Sequence, residues 1–113
     1  MTVASVLQPL IARAIFPDEE TAVRELAMEY VLRQVDSLQG TILAFERKHG
    51  MTFAQFQQYL HERSRLLDSP DLDEVTRRRL GQSVMSEEDD WLEWKAAMEM
   101  LESWLGLKRE VAS

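Results

Sequence analysis

Along most of the chain apolar residues recur at steps of three and four, the spacing that lines one face of an α-helix. From Asp18 to His49 the positions Val23, Leu26, Ala27, Tyr30, Val31, Val35, Leu38, Ile42 and Phe45 follow it, predicting one long amphipathic helix over about 18–49. Pro17 suits its start, Asp18, Glu19 and Glu20 place negative charge near the unpaired N–H groups, and Gly50 suits its end. Gly40 weakens the helix interior by about 1 kcal/mol relative to alanine. Thr52-Phe53-Ala54-Gln55 has the form of a capping box and opens a helix that runs to about Asp68 with Phe53, Phe56, Leu60 and Leu67 inward. Ser69-Pro70 then predicts a short helix ending near Leu80, with Gly81 as its stop. Ser86-Glu87-Glu88-Asp89 reads as a further N-cap, opening a last helix over about 87–107. Residues 1–17 carry Val6, Leu7, Leu10, Ile11, Ala14 and Ile15 at helical spacing, with Pro9 limiting the start, and predict a peripheral helix or arm. Alternating β patterns and hairpin dipeptides are missing. The expected fold is therefore all-α, a small bundle of four to five helices in a single domain over 1–113.

The last helix changes the picture because it is apolar on two sides. Trp91, Trp94, Ala97, Met98, Leu101, Trp104 and Leu105 fill an arc of roughly 140° at about 100° per residue. Leu92, Ala96, Met100 and Leu107 fall on a second face, so one side is expected to meet a partner or a second copy. Val31, Val35, Leu38, Ile42 and Phe45 raise the same expectation for the long helix, since their spacing resembles two heptads of a coiled-coil seam.

Composition narrows the function. With 113 residues, 45% hydrophobic and 29% charged, four Gly and three Pro, the chain can build one globular core. It has no cysteine, which excludes disulfides, thiol catalysis and thiolate metal sites. Thirteen basic residues against 20 acidic ones give a net charge of −7, which disfavours nucleic acid and anionic lipid as partners. The apolar start lacks a preceding basic residue and is broken by Pro9, so neither a signal peptide nor a membrane span is expected, and the location is expected to be cytoplasmic.

Few residues are candidates for chemistry. Glu46-Arg47-Lys48-His49 has the Glu-x-x-His spacing of ferritin-like metal pairs, but His61 has Gln58, not a glutamate, three residues earlier, and basic residues at a helix end need no ligand role. His61 and Glu62 are adjacent and do not face each other on a helix. Arg77, Arg78 and Arg79 follow Asp73 and Glu74 at the spacing of intrahelical pairs, which favours a structural role. No glycine-rich phosphate loop or dinucleotide fingerprint occurs, so no cofactor, metal or enzymatic activity is expected.

The acidic run stands out. From Ser86 to Leu105 seven acids stand against Lys95 alone, placing −6 of the −7 in one segment. First-turn carboxylates stabilise a helix start without any partner. Four successive acids exceed what capping requires, however, and beside Trp91 and Trp94 they make an acidic rim next to aromatic anchors. Glu87, Glu88, Asp89, Asp90, Trp91 and Trp94 are therefore the candidate partner-binding residues. Gly50-Met51-Thr52-Phe53 leading to Phe56, and Glu87 to Trp91 leading to Trp94, resemble a group of small helical proteins common in cyanobacteria. Some of these are encoded beside toxin-like proteins and read as antitoxin-like partners. The resemblance covers about Glu19 to Leu107 and implies a protein that binds and masks another protein. The two readings carried forward are a non-enzymatic interaction module with a basic protein partner, and a self-assembling homodimeric scaffold.

Overall fold

The computed structural model describes residues 2–113 and is built from four α-helices, with no strand among the described residues. They are α1 Val3–Ala12, α2 Glu19–His49, α3 Phe53–Leu66 and α4 Glu74–Ala112. None is long and apolar enough to cross a membrane among the described residues.

Local chemistry explains most helix ends. Thr2 and Ser5 form a reciprocal capping box at the start of α1. Pro9 lies inside this helix and not near its start as expected, so the ring is accommodated where the i−4 hydrogen bond to Ser5 has no donor. α1 ends on a Schellman arrangement: Ile15 N–H donates to Leu10 O at 2.9 Å and Ala14 N–H to Ile11 O at 2.9 Å. Ala14 takes the left-handed conformation there, with φ 57°, in the position usually given to glycine. Asp18 caps α2 by accepting from Thr21 N–H at 2.7 Å, and that bond lowers its carboxyl pKa. Gly50, with φ 63°, closes α2 by donating its N–H to Glu46 O at 2.7 Å. The capping box read at Thr52 forms at α3, with Gln55 N–H to Thr52 Oγ1 at 3.2 Å and Thr52 N–H to Gln55 Oε1 at 3.0 Å.

The largest departure from the sequence reading lies after Leu66. Ser69-Pro70 does not start a helix, Gly81 does not stop one and Ser86 does not cap one; α4 is a single helix of 39 residues through all of Gly81 to Asp90. Its cap is Asp73, whose carboxylate accepts from Thr76 N–H at 2.6 Å. Arg77 holds the preceding turn by donating to Leu67 O at 3.3 Å and Ser69 O at 2.9 Å, which accounts for one member of the arginine triplet. Glu74 and Arg78 pair at 3.6 Å, as their spacing predicts.

The chain divides into two compact units, one of Met1–Ser37 with Glu102–Ser113 and the other of Leu38–Leu101. The first buries Leu7, Ala22, Val31 and Val35 and sets Tyr30 edge-on to Trp104 at 5.9 Å. Its part of the predicted α2 stripe is covered unevenly, because Val23, Leu26 and Tyr30 stay exposed while Val31 and Val35 are buried. The second unit holds an aromatic core of Phe56, Leu60 and Trp94, packed by Ile42, Phe45, Met51, Phe53, Tyr59 and Trp91. Phe45 stacks on Trp94 at 5.6 Å, Phe53 meets it edge-on at 5.5 Å and Phe56 tilts against it at 5.5 Å.

Candidate protein-interaction site

α4 carries the acidic run through the second unit, and continuity of that helix changes what the run does. Glu87 lies more than three turns beyond the start at Glu74, whereas the helix dipole acts over the first turn only. Capping therefore does not account for the run.

Two of its acids are used internally. Glu87 Oε1 meets Arg63 Nη2 of α3 at 3.1 Å and accepts from Ser83 Oγ at 2.9 Å, while Arg63 Nη2 also donates to Ser83 at 2.8 Å. The Arg63 guanidinium lies over the Tyr59 ring at 5.2 Å, and burial together with Glu87 raises the Tyr59 hydroxyl pKa. One turn on, Asp90 Oδ2 receives Lys48 Nζ at 2.7 Å and His49 Nε2 at 2.8 Å from the end of α2. Burial pushes the Asp90 carboxyl pKa up, but the hydrogen bonds from Lys48 and His49 outweigh it and hold the group below the usual range. The His49 ring packs on Phe56 at 4.1 Å and on Trp94 at 6.2 Å. His49 is thus a structural link between the core and Asp90 and not a solvated helix end. No group of three or more His, Asp or Glu side chains converges as a metal site among the described residues.

Trp94, expected at the partner surface, is instead fully buried, 0% exposed, at the centre of the core. Trp91 is half-buried, stacked on Phe53 at 6.2 Å, with Lys95 Nζ 5.1 Å from its ring centre. The indole N–H groups of Trp91 and Trp94 and Arg63 Nε are buried without a hydrogen-bond partner. Glu88 and Asp89 are exposed and form no ion pair among the described residues.

The six candidate residues therefore separate into Trp94 in the core, Glu87 and Asp90 in ion pairs, and Glu88, Asp89 and part of Trp91 facing outward. On the outward side a shallow groove of about 370 Å³ runs between α3 and α4. α3 contributes Gln57, Leu60, His61 and Ser64, and α4 contributes Glu88, Trp91 and Leu92. Leu92 is 57% exposed, which leaves the second apolar face of α4 uncovered at this point.

Lys48, His49 and Arg63 were missed as partners of the acidic run. His49 had a visible signal, because it extends the apolar steps Leu38, Ile42 and Phe45 by four more residues and so falls on the inward face. Arg63 had none, since its acidic partner Glu87 and the linking Ser83 lie 20 or more residues away in the chain. Comparison with known proteins finds no family model, no curated protein and no solved structure that matches the chain.

Proposed function

We propose that this protein is a non-enzymatic interaction module, antitoxin-like in that it binds and masks another protein through the outward face of its last helix, and that its partner is basic. The observation that carries this reading is the division of the acidic run. The fold uses Glu87 and Asp90 in ion pairs, yet Glu88 and Asp89 remain exposed and unpaired, and Glu88 lines one groove with the half-buried Trp91 and exposed Leu92. Charge there steers a basic protein, and the adjoining apolar side chains supply area to bury.

The test is affinity capture from the native host at low salt, using the wild-type chain beside Asp89→Lys, followed by reconstitution with the purified partner. A basic protein retained by the wild type and lost in Asp89→Lys, with binding that weakens as salt rises, supports the reading. Capture of no specific protein, or equal capture by both chains, overturns it.

A homodimeric scaffold is the second reading, favoured by the first unit. Thr2, Val3, Val6, Leu7, Val23 and Leu26 line an open groove of about 460 Å³ there with no charged side chain. Val3, Val6, Val23 and Leu26 are all exposed around it. Such a patch sets no charge against its own copy across a two-fold axis. Light scattering over micromolar concentrations decides between monomer and dimer, and a dimer dispersed by Val6→Lys places this surface in the contact.

A further inference from the structure

Beyond naming a face of α4, the groove beside it specifies the kind of segment that fits. We infer that the α3–α4 groove seats an amphipathic helix of the partner protein, with apolar residues toward Trp91 and Leu92 and a Lys or Arg at its edge reaching Glu88. This rests on the interaction reading above and goes further by naming the element and its chemistry.

Three observations converge. The first is shape: the lining residues at 57, 60, 61 and 64 on α3 and at 88, 91 and 92 on α4 form two helical rows with steps of three and four. A third helix packs its own i, i+3, i+4 and i+7 side chains between such rows. Strand addition has no template, because there is no sheet edge among the described residues.

The second is apolarity. Leu60 is buried at the floor, Trp91 is half-buried and Leu92 is 57% exposed on the wall, so an apolar side chain entering the groove removes surface that this chain leaves wet. Ala96, one turn beyond Leu92, is also exposed and continues the wall. The third is charge. Glu88 borders the groove without an ion pair, Asp89 is exposed next to it, and the nearest α4 cation, Lys95, lies over the Trp91 ring and 4.0 Å from Glu99. A second copy of the chain would bring another Glu88 and another net charge of −7 to the same place, whereas a basic helix brings the complement.

The test uses a synthetic helical peptide of about 18 residues, or about five turns, with Leu at i, i+3, i+4 and i+7, Lys at the flanks and Ala elsewhere. A twin carries Glu for each Lys. Binding to the full chain is followed by amide shifts in NMR spectra and by titration. The inference expects the Lys peptide to shift residues 57–64 and 88–92, and to bind about tenfold or more weakly to Glu88→Lys and to Leu92→Ser. Glu88→Lys is further expected to prefer the Glu twin. Both side chains are exposed, and circular dichroism verifies that each variant keeps its helices.

Shifts confined to other surfaces, or equal affinity in wild type and both variants, overturn the inference. So does self-association that Leu92→Ser abolishes, which makes a second copy the occupant. The two levels separate experimentally. A captured partner lost with Asp89→Lys but kept with Leu92→Ser overturns the groove and leaves the interaction module. Peptide binding in the groove with no captured partner overturns the module reading and supports the groove's preference for a basic helix.

Discussion

Replacing Gly81 by alanine tests the continuity of α4, the feature on which the site depends. The backbone at Gly81 is helical, and a Cβ built there meets no atom within 4 Å, so alanine introduces no clash. Glycine in a helix interior is about 0.8–1.0 kcal/mol less favourable than alanine, chiefly because the unfolded chain loses less freedom when alanine is present. Gly81→Ala is therefore expected to stabilise the protein by about 1 kcal/mol. For 113 residues, an unfolding entropy of about 2.1 cal/mol/K per residue totals about 0.24 kcal/mol/K, which converts the gain to a rise of about 4 °C in Tm. Calorimetry and urea unfolding followed by circular dichroism measure it. A helix that ended at Gly81 would hold this residue in the left-handed conformation, where alanine costs about 1–2 kcal/mol. The two structures thus predict opposite signs, and a fall in Tm refutes the continuous helix. Gly50→Ala is the internal control: with φ 63° it is expected to destabilise by about 1 kcal/mol although its Cβ also meets nothing within 4 Å.

Three further outcomes follow from the packing. Ala14→Gly removes the strain of a left-handed alanine and is expected to raise stability by about 1 kcal/mol in urea unfolding; a fall in stability refutes the Schellman end of α1. Trp94→Ala opens the aromatic core where the side chain is fully buried and is expected to cost about 3–5 kcal/mol, seen as loss of cooperative unfolding or a large drop in midpoint. Asp90, Asp18 and Asp73 have carboxyl pKa values lowered on folding, so the stability they contribute is complete above the unfolded value of about 3.9 and declines as pH falls from there through the lower folded values. Unfolding midpoints at pH 5 and pH 3 measure the decline, and Asp90→Asn is expected to flatten it.

What the sequence made legible follows from the range of the forces involved. The all-helical class, the segment 18–49 close to α2 Glu19–His49, and the Thr52 cap all rest on periodicity or on hydrogen bonds three residues apart. Gly81 and Ser86 misled because their local signals are weak beside packing. About 1 kcal/mol of glycine penalty is outweighed when α4 continues and buries Val84, Trp94 and Ala97. The stop after Ala12 was illegible for the opposite reason, since an alanine does there what a glycine usually does. At the site, Glu88 and Asp89, read from the sequence as partner-binding candidates, are exposed. The burial of Trp94 depends on Phe45, Phe53 and Phe56, whose approach to α4 no local pattern records.

The acidic run is explained by helix geometry together with those contacts. At about 100° per residue, four consecutive helical positions sweep every side of the helix. With Glu87 set at 0°, Asp90 falls about 60° to one side of it and Trp94 about 20° to the same side, so these three share the inward face. Glu88 at about 100° and Leu92 at about 140° share the groove wall, and Asp89 at about 200° points opposite to the core. An unbroken acidic stretch is thus two separate devices, and charge reversal is expected to separate them. Asp90→Lys sets a second cation against Lys48 and removes the acceptor of the His49 hydrogen bond at a side chain only 17% exposed, and is expected to cost about 2–3 kcal/mol of stability, between a surface pair and a buried one. Asp89→Lys faces solvent and is expected to leave stability within about 0.5 kcal/mol while abolishing capture of a basic partner. Urea unfolding and partner binding measured on both variants check this. Equal stability losses at Asp89 and Asp90 would show that the run acts as one charged block, and would remove the distinction between fold and surface on which the proposed function stands.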